Sequence, residues 1–252
     1  MINFQGYIEY VQLDAPDSVM NEYPLNIPCI QKLKKLSFHP RVTFLIGENG
    51  MGKSTLMEAI AVGIGLNAEG GSKNFRFNTE ASHSSLHQYL KITKGVNRMK
   101  DGYFLRGESF YNLASNIDAL DREPGASPPI INAYGGKSLH KQSHGESFWA
   151  LFMHRFGGSG IYILDEPESA LSVTRQMAML VRIEALVNKK SQFIIATHSP
   201  ILMAYPNALI YQMTAEGIQK VKYQETDAYQ LYKRFLDDPE KMVAMLLNDT
   251  EE

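Results

Sequence analysis

A chain of 252 residues, 44% of them hydrophobic, is long enough to bury a real core as one large domain or two small ones. Its 25 Lys plus Arg nearly cancel 27 Asp plus Glu, which excludes a global basic field toward nucleic acid or anionic membrane and leaves only local patches. One cysteine, Cys29, excludes an internal disulfide and a cysteine metal cluster. Together with "MINFQGYIEYVQL", which is no cationic leader, and the lack of any run near the ~18 apolar residues of a membrane span, this predicts a cytoplasmic protein without membrane insertion.

In chain order, "FQGYIEYVQL" alternates as a strand does, and "YPLNIPCIQKLKKLSF" is a proline-punctuated connection ending in a short amphipathic piece. Val42 to Ile46 form an apolar β-branched strand that runs into a glycine loop, and Lys53 opens a helix with apolar residues at helical spacing. From Asn67 to about Asp101 the chain is mixed, with "AEGGSKN" a loop and "LHQYLKIT" a strand. "GYFLRGESF" is a buried strand, "YNLASNIDAL" a helix, and "DREPGASPPIINAYGGKS" a surface loop. Then follow a helix over 147–156, the strand "GIYILDEPE", the helix "TRQMAMLVRIEALVNKK", the strands "QFIIATHSP" and "ALIYQM", and a charged helical tail. Strands alternating with helices predict an α/β sheet with ligands at the carboxyl ends of its strands.

Three stretches carry chemistry. "GENGMGKS", with Gly47, Glu48, Asn49, Gly50, Met51, Gly52, Lys53 and Ser54, matches the phosphate-binding loop G-x-x-x-x-G-K-[ST] and sits between strand and helix as that motif requires, with Thr55 next on the helix. Glycines let backbone N–H groups point inward at phosphates, Lys53 reaches the β and γ oxygens, and the Ser54 hydroxyl ligates magnesium. In "IYILDEPESAL", four apolar residues deliver Asp165 and Glu166 to the end of a buried strand, where an acidic pair is costly unless it meets a cation. Asp165 then holds magnesium, and Glu166 orients or deprotonates an attacking water. "FIIATHSP" brings His198 to the same edge, beside the γ-phosphate. Standing alone, a glycine turn, a solvated strand end and an exposed histidine would account for each.

"KSLHKQSHGES" raises a further question, since a serine N-cap with Glu146 in the first turn explains it locally. A helix start with a serine and a glycine is also an anion site.

The phosphate loop, the serine-glycine motif, "LDEPESAL" and "ATHSP", in this order, resemble the ATP-binding cassette (ABC) ATPases, in particular the soluble branch with RecF-like and SMC-like heads. With "FLRGESFYNLA" and "FIIATHSPILMAYP", the chain from about Tyr23 to Asp238 looks like a compact bacterial ATPase with little beyond the cassette. The resemblance implies a P-loop NTPase of α/β class: a three-layer sandwich with a small antiparallel part and a short helical lobe near 109–156, all in one domain, 1–252. It implies ATP and Mg2+ as cofactors. It also places Ser143, His144 and Gly145 at the signature motif, which binds ATP held by a second subunit of an ATP-dependent homodimer acting on a protein effector or DNA. Glu108 stands where the family usually has a glutamine near the metal, and Ser172 where it often has an aspartate. The span from Lys53 to Ser143 leaves no room for a long coiled-coil arm. An ATPase subunit of a bacterial defence or toxin module is the alternative role. A transporter's nucleotide-binding subunit is disfavoured by the missing glutamine and by the resemblance to the soluble branch. The basic stretches "QKLKKL" and "KITKGVNRMK" lack interleaved aromatics and are expected to be solvated faces.

Overall fold

The computed structural model describes residues 4–68, 70–72, 84–106, 117, 121, 129–138 and 142–248, with Ser72, Ala133 and His144 described by their backbone alone. A seven-stranded sheet forms the centre, in the order β10-β9-β3-β8-β7-β6-β4. Its parallel body is β9 (Leu209–Thr214), β3 (Val42–Ile46), β8 (Gln192–Ala196), β7 (Gly160–Asp165) and β6 (Asp101–Arg106). The edges are antiparallel: β10 (Gly217–Val221) on β9 and β4 (Gly71–Ser72) on β6. A separate three-stranded antiparallel sheet orders β2 (Lys35–Ser37), β1 (Ile8–Leu13) and β5 (Leu90–Lys94).

Among the described residues the α-helices are α1 (Pro28–Gln31), α2 (Lys53–Gly63), α3 (His144–His154), α4 (Val173–Val187), α5 (Pro200–Met203), α6 (Asp227–Asp237) and α7 (Pro239–Asn248). Period-2 alternation along the buried strands divides the core in two. Ile161 and Ile163 of β7 face α2 and the small sheet, joining Leu56, Ile60, Ile8 and Val11. Tyr162 and Leu164 face the other way, joining Phe152 of α3 and Met179 and Ile183 of α4. The result is the expected three-layer α/β sandwich.

The start and end of α3 are both fixed. Arg155, just past its last turn, donates to Asp101 at the start of β6 at 3.0 Å, and Tyr162 donates to the same carboxylate at 2.9 Å. Phe156 stacks on Tyr162 with ring centroids 4.3 Å apart, a contact worth ~1 kcal/mol beyond the area it buries.

Several sequence expectations need correction. The short amphipathic piece in "QKLKKLSF" takes the form of a strand: Lys35–Ser37 pair with β1, because alternating Lys and Leu suit a half-buried sheet edge. β10 was not expected at all. Within the proline- and glycine-rich loop, Ile130–Tyr134 form a 3-10 turn whose first two N–H groups donate to Asp121. α3 begins at His144 rather than 147, because Ser143 caps it. The helix expected over "YNLASNIDAL" lies, apart from Ile117, outside the described residues.

Candidate functional site

The phosphate loop follows β3 directly and ends at Gly52, the N-cap of α2, with φ of 81°. Gly47 and Gly50 also have positive φ, 143° and 81°. At Gly47 the need for glycine is twofold, since a Cβ there would lie 2.3 Å from the Met213 carbonyl oxygen. α1 packs beneath the loop, where the Cys29 thiol donates to the Met51 carbonyl at 2.7 Å. Lys53 is buried and its Nζ donates to the carbonyls of Gly47 at 2.7 Å and Glu48 at 3.0 Å. Burial pulls its ammonium below the usual lysine range, opposed by the charges of Glu166, Asp165 and Glu168. Ser54 and Thr55 follow on the first turn of α2.

The ends of three neighbouring strands are sewn together. The Glu166 N–H donates to Ala196 O at 3.0 Å, joining β7 to β8, and the Thr197 N–H donates to Leu45 O at 3.2 Å, joining β8 to β3. Asp165, Glu166, His198 and the phosphate loop therefore share one sheet edge. Asp165 is 6% exposed. Burial raises its pKa to about 6, opposed by a hydrogen bond from Ser54 and reinforced by Glu166, with Arg106 and Lys53 pulling it down. Its Oδ1 is buried without a hydrogen-bond partner among the described residues. An orphaned carboxylate oxygen next to a serine hydroxyl suits a hard cation such as Mg2+, which takes one or two protein oxygens and keeps the rest for water and phosphate.

Glu166 adopts a left-handed conformation, φ 47° and ψ 53°, at the turn out of β7. Backbone strain in a non-glycine residue is expected where function fixes a side chain. Its Oε1 lies 3.4 Å from Nε2 of His198, and both side chains are close to half exposed. The His198 N–H donates to Glu168 Oε1 at 2.6 Å, and the Ser199 hydroxyl donates to Gln176 Oε1 at 2.6 Å. Sequence reasoning missed Glu168 and Gln176, and it missed Arg106, which lies opposite Asp165 in the β6–β7 register and pairs with Glu58 of α2 at 2.9 Å.

At the start of α3, Ser143 and Glu146 form a reciprocal capping box. The Ser143 N–H and hydroxyl donate to Glu146 at 2.9 and 2.7 Å, and the Glu146 N–H donates back to the hydroxyl at 3.3 Å. The hydroxyl of Ser143 holds the Glu146 carboxyl below the usual carboxylate range. Gly145 is pressed against the 3-10 turn Pro167–Ala170: a Cβ would meet the Ala170 carbonyl oxygen at 2.5 Å, and Arg175 donates to the Gly145 carbonyl at 2.7 Å. Ser172 caps α4, accepting from the Arg175 N–H. Glu108 lies outside the described residues.

Three lysines of the basic stretches make contacts within the chain. Lys32 donates to Ala215 O at 2.9 Å, Lys35 lies 3.8 Å over the Tyr10 ring, and Lys91 pairs with Asp14 at 2.6 Å. Among the described residues no helix is long and apolar enough to cross a membrane.

Two family models match the chain: an "AAA domain" over residues 25–116, and an "AAA domain, putative AbiEii toxin, Type IV TA system" over residues 138–204. No curated protein matches. Among solved structures, an ATP-binding cassette of an ABC transporter aligns with TM-score 0.50 and 15% identity over 95% of this chain and 98% of its own. The SMC head domain from Thermotoga maritima aligns with TM-score 0.42 and 17% identity, over 86% and 98%. A dimeric bacterial ABC transporter cassette aligns with TM-score 0.47 and 12% identity, over 77% and 91%.

Proposed function

We propose that this chain, an ABC-type P-loop ATPase by fold, binds ATP with Mg2+ and hydrolyses it as a head-to-tail homodimer in the cytoplasm. Residues 1–252 act as one ATPase domain, with the lobe near 109–156 carrying the signature. Opening and closing of the dimer then drives or gates a protein effector or a nucleic-acid transaction.

The observation that carries this reading is the meeting of loop, acidic pair and histidine at one edge, stitched through β3, β8 and β7. Backbone N–H groups of 47–52 cradle the phosphates, and Lys53 turns its ammonium from its own loop carbonyls to the β and γ oxygens. Ser54 and Asp165 would hold the metal, which supplies charge neutralisation at those oxygens. Glu166 takes the proton of the attacking water, and His198, 3.4 Å from it, donates toward the γ-phosphate. Ser143, His144 and Gly145 complete the partner subunit's site, Ser143 releasing its cap to Glu146 for a phosphate oxygen. Glu108 remains the proposed counterpart of the family's metal-side glutamine. Phosphate release from ATP, with and without Mg2+, tests the activity: turnover that survives in both Lys53→Ala and Glu166→Gln contradicts it.

A second reading draws on the toxin wording of the model over 138–204. In it, ATP occupancy restrains or releases an effector of a defence or toxin module. A protein that co-purifies in stoichiometric amount only with one nucleotide state favours this role over a DNA-acting clamp.

A further inference from the structure

We propose that Glu168 is a positioning residue, which sets His198 against Glu166 and couples that pair to the Gly145 corner of the same subunit. The proposal rests on the reading of Glu166 and His198 as the pair beside the γ-phosphate.

His198 follows β8, and sheet register alone brings only its backbone to the site. The 2.6 Å bond from its N–H to the Glu168 carboxylate fixes the peptide that carries the ring, and a carboxylate acceptor makes that bond short and strong. A second tether acts one residue on: the Ser199 hydroxyl donates to Gln176, whose own amide donates to Leu171 O at 3.1 Å. Both tethers start in the segment after Glu166. The 3.4 Å between Glu166 Oε1 and His198 Nε2 is thus set by the turn Pro167–Ala170 and the first turn of α4 as well as by the β7–β8 pairing.

The far side of that turn bears on the signature. Gly145 sits so close to Ala170 that any Cβ would overlap its carbonyl oxygen, at 2.5 Å, and Arg175 clamps the Gly145 carbonyl at 2.7 Å. Close-packed contacts of this kind transmit displacement rather than absorb it. Movement of the α3 start, where Ser143 meets a partner's nucleotide, shifts Ala170, then Glu168, then the His198 peptide. Glu168 touches neither phosphate nor water in this scheme and acts through His198.

The test uses the full chain and steady-state ATP hydrolysis with a separate ATP-binding titration. Glu168→Ala lowers kcat at least ~10-fold, the order of a lost charge-assisted hydrogen bond, with ATP affinity within ~2-fold. Glu168→Gln keeps an acceptor oxygen and stays within ~3-fold of the parent, while Glu168→Met fills the space without accepting and substitutes for the alanine variant should that fail to fold. The double variant Glu168→Ala, His198→Ala is no slower than His198→Ala beyond ~2-fold, since coupled residues are non-additive. His198→Ala with wild-type turnover contradicts the underlying reading of His198. With His198→Ala impaired, an unimpaired Glu168→Ala, equal losses in the Gln and Ala variants, or multiplicative losses in the double variant each overturn the proposal alone.

Discussion

The ammonium of Lys53 rests 2.7 Å from the carbonyl oxygen of Gly47, the residue that opens its own loop. The lysine thus closes the loop on itself, besides its proposed role toward phosphate. Lys53→Ala should weaken ATP binding at least ~100-fold, as loss of a charged phosphate contact in a buried loop does. It should also lower Tm by a few degrees, because two loop carbonyls lose their donor. Titration with a fluorescent ATP analogue and a thermal melt check both; unchanged affinity removes the loop from the site.

Asp165 makes a prediction about pH. Its carboxyl, pushed up from 3.8 to about 6 chiefly by burial, binds protons more readily folded than unfolded, so it lowers stability as pH rises through that window. The cost above pH 6 is up to about 3 kcal/mol. Nucleotide-free Asp165→Asn should therefore melt several degrees higher than the parent at pH 8, with the gap shrinking as pH falls toward 4. Saturating Mg2+ and ATP should narrow or invert the gap, since only the parent offers the metal a charged carboxylate. A gap that is constant with pH contradicts the buried, ionised state of this side chain.

Gly145→Ala introduces a methyl at 2.5 Å from a backbone oxygen, and backbone cannot swing aside as a side chain does. The start of α3 must move. ATP binding, assigned by the proposal to the loop before α2, should stay within ~2-fold, while kcat falls at least ~10-fold. Loss of ATP binding in proportion would show instead that the substitution unfolds the chain.

Reversing Lys32, Lys34 and Lys35 to glutamate should change DNA retention little, because Lys32 and Lys35 already contact Ala215 and Tyr10. A steep, salt-dependent loss in a filter or anisotropy assay would mark the patch as a phosphate contact.

The parts legible in the sequence were those written in contiguous residues. Gly47 to Ser54 and Asp165 to Glu166 each declare a turn chemistry and a strand end, and both sit where expected. β10 was hidden because "AEGIQKV" is short and half-exposed, although Ile218 and Val221 after a glycine turn were a signal that hairpin reasoning could have used. Glu168, Gln176 and Arg106 were missed for a different reason. Their partners lie 30, 23 and 48 residues away, and two of the bonds run to a backbone N–H or a hydroxyl, for which no side-chain pattern exists. The capping box at Ser143 was legible, and it shows that the local role and the proposed phosphate role use the same hydroxyl.

That shared hydroxyl gives the most direct test of the central claim, that two chains enclose ATP between loop and signature. Glu166→Gln keeps the shape of the water-facing group but removes its basicity, costing ~10² to 10⁴ in turnover, and should trap ATP. Light scattering on size exclusion should then show a dimer only with Mg2+ and ATP. Ser143→Asp in that background keeps a good N-cap for α3 but sets a negative charge toward the partner's γ-phosphate. The account predicts a monomer that still binds ATP through Lys53. A Glu166→Gln protein that stays monomeric at saturating ATP, or a Ser143→Asp variant that dimerises as readily as its parent, would contradict it and leave "SHGES" a helix cap.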